Sequence, residues 1–328
     1  MTNPKLQDRF GRRIEYVRLS VTDRCDLRCF YCIPEGFTDF ETPDHWLSFD
    51  EIVRVIGIFT RLGTKRVRLT GGEPLVRKGL PELARRLAAL PHLEDLSLST
   101  NATQLSRLAS PLFDAGIRRI NVSLDSLNAD RFAQITGGSL TKVLSGLAAA
   151  KEAGFSPIKI NMVVMRGIND DEVENILEYC IEHRFTLRFI ETMPMGETGL
   201  KAQNHYIDLQ EIKRRLDQKY RLIPSTMPGG GPARYARVDG TSINVGFITP
   251  ISQHFCETCN RVRLSVDGTI YTCLGQDHSF PLAPLLRENV SDACLEDAIV
   301  TAISQKPERH HFVDVPGQIV RFMSQTGG

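Results

Sequence analysis

Between residues 15 and 215 the chain repeats one pattern, a short apolar run followed by a turn and an amphipathic stretch. The strand candidates are 15–21, 66–70, 94–99, 118–124, 157–164 and 186–191, each rich in Val, Ile or Leu. Between them, Ile52, Ile56, Phe59 and Leu62 recur at helical spacing, as do Val173, Ile176, Leu177 and Cys180. Asp170 stands where the second of these helices would take an N-cap. Strands alternating with helices specify parallel βα units and an α/β fold. The strands read as apolar on both faces, as in a sheet covered by helices. Six units fall short of an eight-fold barrel, so the expectation is a partial (β/α)6 barrel of the TIM type or an open sheet.

After residue 220 the character changes. Pro224 to Pro232 is a breaker-rich loop containing Met-Pro-Gly-Gly-Gly-Pro. Short strands are expected at 242–248 and 261–266, and Asp267-Gly268 before Thr269-Ile270-Tyr271 signals a hairpin. Helical patterns follow at 281–288 and 293–305, then a polar tail ending in Gly327 and Gly328. The expected organisation is therefore 1–219 as the barrel and 220–328 as a smaller α+β subdomain.

Residues with chemical potential fall at the strand ends. Cys25 follows the first strand, Gly71-Gly72-Glu73-Pro74 the second, and Ser99-Thr100-Asn101 closes the third. Ser123-Leu124-Asp125 closes the fourth and Glu191-Thr192-Met193-Pro194 the sixth. Parallel α/β architectures gather their ligands on that rim.

Two groups of cysteines stand out among eight. Cys25, Cys29 and Cys32 are spaced C-x3-C-x2-C, and Cys256, Cys259 and Cys273 are spaced C-x2-C-x13-C. Cys180 and Cys294, alone in helical patterns, read as buried small hydrophobes. The start of the chain has no apolar core or cleavage pattern, and no apolar run approaches membrane-spanning length. No membrane association is expected, and a cytoplasmic location, where clustered thiols bind metal rather than pair, is the default. Three thiols leave a four-coordinate iron one ligand short, a vacancy for a small molecule. Structural zinc prefers a fourth protein ligand and paired C-x2-C knuckles, which the first group lacks. For the second group zinc stays an alternative, completed by His254 or His278. Arg261 and Arg263, two apart on a strand, face one side and suit an anionic or carbonyl-bearing ligand there. With 40 basic and 39 acidic side chains the chain is no polyanion-coating protein, and no nucleic-acid partner is expected.

The C-x3-C-x2-C run with an aromatic residue before its last cysteine, followed by Gly-Gly-Glu-Pro, resembles the radical S-adenosylmethionine (SAM) superfamily. The wider pattern resembles the GTP 3′,8-cyclase family of molybdenum cofactor synthesis. It comprises Arg18-Leu-Ser-Val-Thr-Asp-Arg-Cys25, Arg68-Leu-Thr-Gly-Gly-Glu-Pro74, Asn121-Val-Ser-Leu-Asp125, Lys159-Ile-Asn161, Arg188-Phe-Ile-Glu191, Phe255-Cys-Glu-Thr-Cys-Asn-Arg-Val-Arg-Leu264 and the terminal Gly-Gly. One departure is Ser99-Thr-Asn-Ala102, where the family often has Thr-Thr-Asn-Gly; the hydroxyl survives, and the local turn is in question.

The resemblance implies a partial barrel with two [4Fe-4S] clusters, one held by Cys25, Cys29 and Cys32 and the other by Cys256, Cys259 and Cys273. It implies SAM on Tyr31, Gly72, Ser123 and Met193, and GTP on Arg18, Arg68, Ser99, Lys159, Arg261, Val262 and Arg263. Gly71 and Gly72 are expected to let backbone approach the methionyl amine of SAM closely. Gly327 and Gly328 are implied to reach into the site and matter for turnover. The implied reaction converts GTP to (8S)-3′,8-cyclo-7,8-dihydroguanosine 5′-triphosphate through abstraction of the ribose 3′ hydrogen. The implied organisation is a homodimer that hands its product to the next enzyme of the cofactor pathway and draws electrons from a donor the sequence does not name. The rival readings are a peptide maturase with an auxiliary cluster and a non-catalytic zinc-binding module.

Overall fold

A computed structural model describes residues 6–315 and 317–327. Its strands are β1 (Tyr16–Ser20), β2 (Arg66–Thr70), β3 (Asp95–Thr100), β4 (Arg119–Ser123), β5 (Ile158–Val163), β6 (Thr186–Ile190), β7 (Leu222–Ser225), β8 (Arg234–Val238), β9 (Asn244–Ile248), β10 (Arg261–Leu264), β11 (Thr269–Tyr271) and β12 (Ser279–Pro281). They form one sheet in the order β12-β11-β10-β1-β2-β3-β4-β5-β6-β9-β8-β7. All six expected barrel strands are present and neighbour one another in chain order, each pair parallel. Two later strands extend this parallel run, β10 beside β1 and β9 beside β6. The antiparallel β11-β12 and β8-β7 complete the two ends. The ends do not pair with each other, so the sheet is an open, partial barrel. Strands from beyond residue 220 thus build both of its edges.

Helices α1 (Phe49–Arg61), α2 (Leu80–Ala88), α3 (Leu105–Asp114), α4 (Ala129–Thr136), α5 (Leu140–Glu152) and α6 (Val173–His183) connect the barrel strands. In α1 the Ser48 hydroxyl accepts the Glu51 N–H and the Glu51 carboxylate accepts the Ser48 N–H, closing a capping box. Ile52, Val55, Ile56 and Phe59 then present one buried stripe to the sheet. Asp170 is not the N-cap of α6. It begins a short 3-10 turn, and its carboxylate accepts the Gly167 N–H at 2.7 Å. Cys180 is buried, but Cys294, in the first turn of the helix Asp292–Ser304, is exposed. The period there places Leu295 and Ile299 inward, so the cysteine one position earlier faces out.

The strands are not apolar on both faces. Val17 and Leu19, Val67 and Leu69, and Leu96 and Leu98 are buried in the core. The alternate positions Tyr16, Arg18, Arg66, Arg68 and Ser99 line the concave interior. A partial barrel of this kind needs apolar packing only under its helices, and its inner face is left for polar side chains. Among the described residues, no helix is long and apolar enough to cross a membrane.

Candidate active site

Strand register explains why the cations meet. Arg18 on β1 is level with Arg68 on β2 and with Arg263 on β10. Residues level on neighbouring strands point to the same face, so three guanidiniums form one row. Ser99, Asn121 and Lys159 form a second row across β3, β4 and β5. Arg188 on β6 is level with Asn161, whose Oδ1 accepts from the arginine Nε at 2.9 Å. These side chains enclose a cavity of about 540 Å3 that Cys256, Cys259 and Cys273 also line. Such a volume suits a small-molecule ligand.

The cavity holds more positive charge than its neighbours neutralise. Burial and then Arg68, Arg261 and Arg188 oppose the charge on Arg18; its pKa falls to about 10 although Tyr16 resists the change. The buried Arg18 Nε and Arg68 Nη1 have no hydrogen-bond partner. Arg68 Nε donates to the Tyr16 hydroxyl. Burial, followed by Arg188, Arg119 and Arg68, lowers Lys159 to about 7; its Nζ donates to the Tyr235 hydroxyl at 3.2 Å. Burial pushes Arg263 well below its ordinary value, and Arg18 and Arg261 add to the effect. Buried donors without partners and crowded like charges are costly unless an anion completes the site. Val262 lies between the two arginines, but its side chain is buried in the core, which leaves its backbone for the cavity.

The second trio comes from a 3-10 turn, Cys256–Thr258, and from the segment after β11. Backbone N–H groups of His310, Arg261 and Gly275 point at Cys256, Cys259 and Cys273 respectively. Burial raises the Cys259 thiol, but Lys306 and Arg261 outweigh it and bring it down to about 7. Lys306, itself buried, donates to the carbonyls of Arg261, at 3.0 Å, and of Thr272. Thiols that accept backbone N–H groups beside fixed cations fit an anionic iron–sulfur cluster. Among the described residues, no three His, Cys, Asp or Glu side chains gather around a single point as one ion requires. Neither His254 nor His278 completes such a set.

The first trio lies in the loop after β1. Cys25 Sγ accepts from the Leu27 N–H at 3.4 Å and from Asn101 Nδ2 at 3.8 Å. The Ser324 N–H points at Cys32. Burial raises all three thiols, Cys32 to about 12. Loading a metal cluster would have to displace these protons. The Tyr31 hydroxyl donates to Asp125 Oδ2 at 2.6 Å, and Asp125 Oδ1 accepts the Val163 N–H at 2.9 Å. Ser123 is exposed at the end of β4, and Met193 lines the cavity.

The glycine pair also makes a close approach within the chain itself. A Cβ on Gly72 would lie 2.4 Å from the Arg24 carbonyl oxygen, and one on Gly71 2.2 Å from that of Thr22. The close approach is to the chain's own loop leading into Cys25. The Gly72 N–H donates to Thr22 O at 2.9 Å and the Glu73 N–H to Arg24 O at 2.8 Å. Gly72→Ala is expected to displace that loop, costing on the order of 2–3 kcal/mol. A lower melting temperature together with reduced iron content after reconstitution checks this; wild-type values for both would contradict it. At the departure from the family pattern, Ala102 occupies the left-handed region at φ 65°, so the turn is kept without glycine.

The C-terminal segment reaches this region. Arg263 donates to the carbonyls of Thr326, at 3.1 Å, and of Gly327. Gly327 sits so close to Thr70 that a Cβ would fall 2.0 Å from its hydroxyl oxygen. Gly328 lies outside the described residues. Tyr16, Asn161, Arg188, Tyr235 and Lys306 are cavity residues that sequence reasoning did not assign. The alternation Arg-Val-Arg-Leu on β2 is repeated as Tyr-Val-Arg-Leu on β1 and Leu-Arg-Phe on β6. That repetition was the available signal for Tyr16 and Arg188.

A partial α/β barrel with a three-cysteine loop after its first strand is the architecture of one enzyme superfamily. Residues 19–180 match the family model described as radical SAM superfamily, and residues 185–312 that described as Molybdenum Cofactor Synthesis C. The crystal structure of Streptococcus suis SuiB bound to S-adenosylmethionine shares the fold, with a TM-score of 0.63 at 13% identity over 89% of this chain and 68% of that one. The GTP 3′,8-cyclase of Pseudomonas putida (strain W619) is 48% identical over 98% of each chain. That of Pseudomonas syringae pv. syringae (strain B728a) is 46% identical over 100% of each. The chain belongs to the GTP 3′,8-cyclase family, within the radical SAM superfamily.

Proposed function

We infer that this enzyme converts GTP to (8S)-3′,8-cyclo-7,8-dihydroguanosine 5′-triphosphate, the first step of molybdenum cofactor biosynthesis. The observation that carries the reading is the single cavity in which unpaired buried cations face three cysteines. Cys25, Cys29 and Cys32 would hold a [4Fe-4S] cluster and, with it, SAM, which together supply a 5′-deoxyadenosyl radical. Tyr31, Gly72, Ser123 and Met193 are the proposed SAM contacts. Cys256, Cys259 and Cys273 would hold a second [4Fe-4S] cluster on the guanine side. Arg18, Arg68, Arg263 and Lys159 would hold the triphosphate, with Ser99, Arg261 and the Val262 backbone completing the nucleotide site. The protein's own contribution is position. Burial and multidentate cations hold C3′ still and keep water from the radical that forms there. Gly327, fixed by Arg263, would help close the cavity during turnover, and a contribution of Gly328 to turnover is proposed from the family resemblance alone.

We also propose a division into 1–219 and 220–328, a homodimer, a cytoplasmic location and transfer of the product to the next enzyme of the pathway. The cation rows match a triphosphate better than a peptide. Anaerobic incubation with GTP, SAM and dithionite should give an isomer of GTP, separable by chromatography and of unchanged mass. Unaltered GTP beside free 5′-deoxyadenosine would overturn the reading.

Lys159 gives the binding step a pH signature. With its pKa about 7 in the free protein, it is charged below that pH and neutral above. A bound triphosphate restores the charged form and raises the pKa. GTP affinity should therefore be full below pH 7 and fall as pH rises above it. Calorimetry at pH 8 in buffers of different ionisation enthalpy should record uptake of a proton on binding, lost in Lys159→Met. The absence of proton uptake in the wild type would contradict this assignment.

A further inference from the structure

The central cavity is lined by all of the second cysteine trio and by none of the first. A separate surface groove of about 640 Å3 meets the first trio from outside, and Cys25 forms part of its wall. The other lining residues include Trp46, Phe49, Arg24, Arg77, Lys78 and Arg86, with Asp50 the acidic one. Arg77 is a fixed part of the floor. Its guanidinium donates to the carbonyls of Val21 at 2.7 Å and Leu47 at 2.6 Å and lies over the rings of Trp46 and Phe49. Arg24 is exposed and stands 5.7 Å from the Trp46 ring. Lys78 is exposed and takes part in none of the salt bridges found among the described residues. Arg86 pairs at 2.6 Å with Asp50, itself 87% exposed. Four cations against one carboxylate leave the groove strongly positive. The Trp46 indole Nε1 is buried without a partner.

We propose that this groove is the docking site of a small acidic one-electron carrier protein, which passes its electron to the first cluster beside Cys25. The inference rests on the cluster assignment of the proposed function. Each turnover of that chemistry needs two electrons from outside: one passes from the reduced carrier to the first cluster and ends in the broken carbon–sulfur bond of SAM, and the second, with a proton, quenches the cyclised nucleotide radical; the groove serves the first. Its entry should avoid the cavity where a radical is handled, and the groove, lined by other residues than that cavity, reaches the cluster loop at Cys25. Charge complementarity selects an acidic carrier and speeds encounter at low salt. The flat apolar floor of Trp46 and Phe49, rimmed by cations, fits an interface that forms and releases quickly.

The test uses the reconstituted holoenzyme and reduced flavodoxin, an acidic flavin protein, as probe. Stopped-flow bleaching of the cluster and its paramagnetic signal report reduction directly, without turnover. Lys78→Glu and Arg86→Glu should slow reduction by flavodoxin about tenfold each at low ionic strength and flatten its salt dependence. Dithionite, a small reductant needing no docking, should reduce wild type and variants equally. Lys142→Glu, on α5, should change neither. Lys78→Glu adds an acid just before α2, where the helix dipole favours it, so folding is not at risk. Reversal variants reduced by flavodoxin at the wild-type rate, or a wild type that flavodoxin does not reduce, would overturn the proposal. A protein that dithionite also fails to reduce, or that lacks iron, would instead overturn the cluster assignment beneath it.

Discussion

Cys256→Ala is expected to abolish GTP cyclisation, by a factor on the order of a thousand or more, while SAM is still cleaved. The two activities separate because the two cysteine groups occupy different places. The second trio lines the cation-rich cavity, whereas the first sits in the loop after β1 and meets the outer groove. Removing one sulfur of the second trio leaves the Leu27 and Asn101 donors to Cys25 in place. The variant should therefore keep the first cluster, and its iron content should fall from about eight to about four per chain. Its uncoupled formation of 5′-deoxyadenosine is the internal control for folding. Cyclisation at the wild-type rate would show that the second trio has been misassigned. Loss of both activities with loss of all iron would show that the groups are not independent.

Arg18→Met should move binding and stability in opposite directions. In the free protein Arg18 is a cost: its Nε has no partner, burial opposes its charge, and Arg68, Arg261 and Arg188 repel it. A base whose pKa is depressed in the folded state destabilises the fold at every pH below that value, so the penalty is fully present at pH 7. Methionine keeps the apolar stem and removes the charge, and should raise stability by about 1 kcal/mol. The same change removes a charge-assisted contact to the triphosphate, worth about 2–3 kcal/mol, or ~30- to 150-fold in affinity. Thermal melts without nucleotide and calorimetry with GTP measure the two effects separately. A variant less stable than wild type but binding GTP equally well would contradict the assignment.

Much of the barrel was legible because its signals are local. Each βα unit carries its own apolar run, turn and amphipathic stretch, so β1 to β6 and their helices follow from short windows. The cysteine loops were legible for the same reason, since their spacings are chemical signatures in themselves. What could not be read from the sequence was long-range pairing. β10 lies beside β1 although Val17 and Val262, its partner in register, are far apart in the chain. That pairing sets Arg263 level with Arg18 and makes three arginines one row. The role of Gly72 was also hidden, because the backbone it must clear, Asp23 and Arg24, comes close only once β1 and β2 are paired. The apolar reading of both strand faces failed where polar residues alternate inward, on Tyr16, Arg18, Arg66 and Arg68. Cys294 failed through a one-residue shift of helix phase and Asp170 through a two-residue shift of the boundary, the N-cap being Glu172, which propensity alone does not fix.

The central claim is that the cations and cysteines of one cavity place the ribose of GTP against the radical generated at the first trio. Anaerobic turnover with GTP deuterated at the ribose 3′ position tests it most directly. Deuterium is expected in 5′-deoxyadenosine, together with an isomer of GTP that has lost that deuterium. Deuterium retained in the nucleotide, with 5′-deoxyadenosine unlabelled, would contradict it.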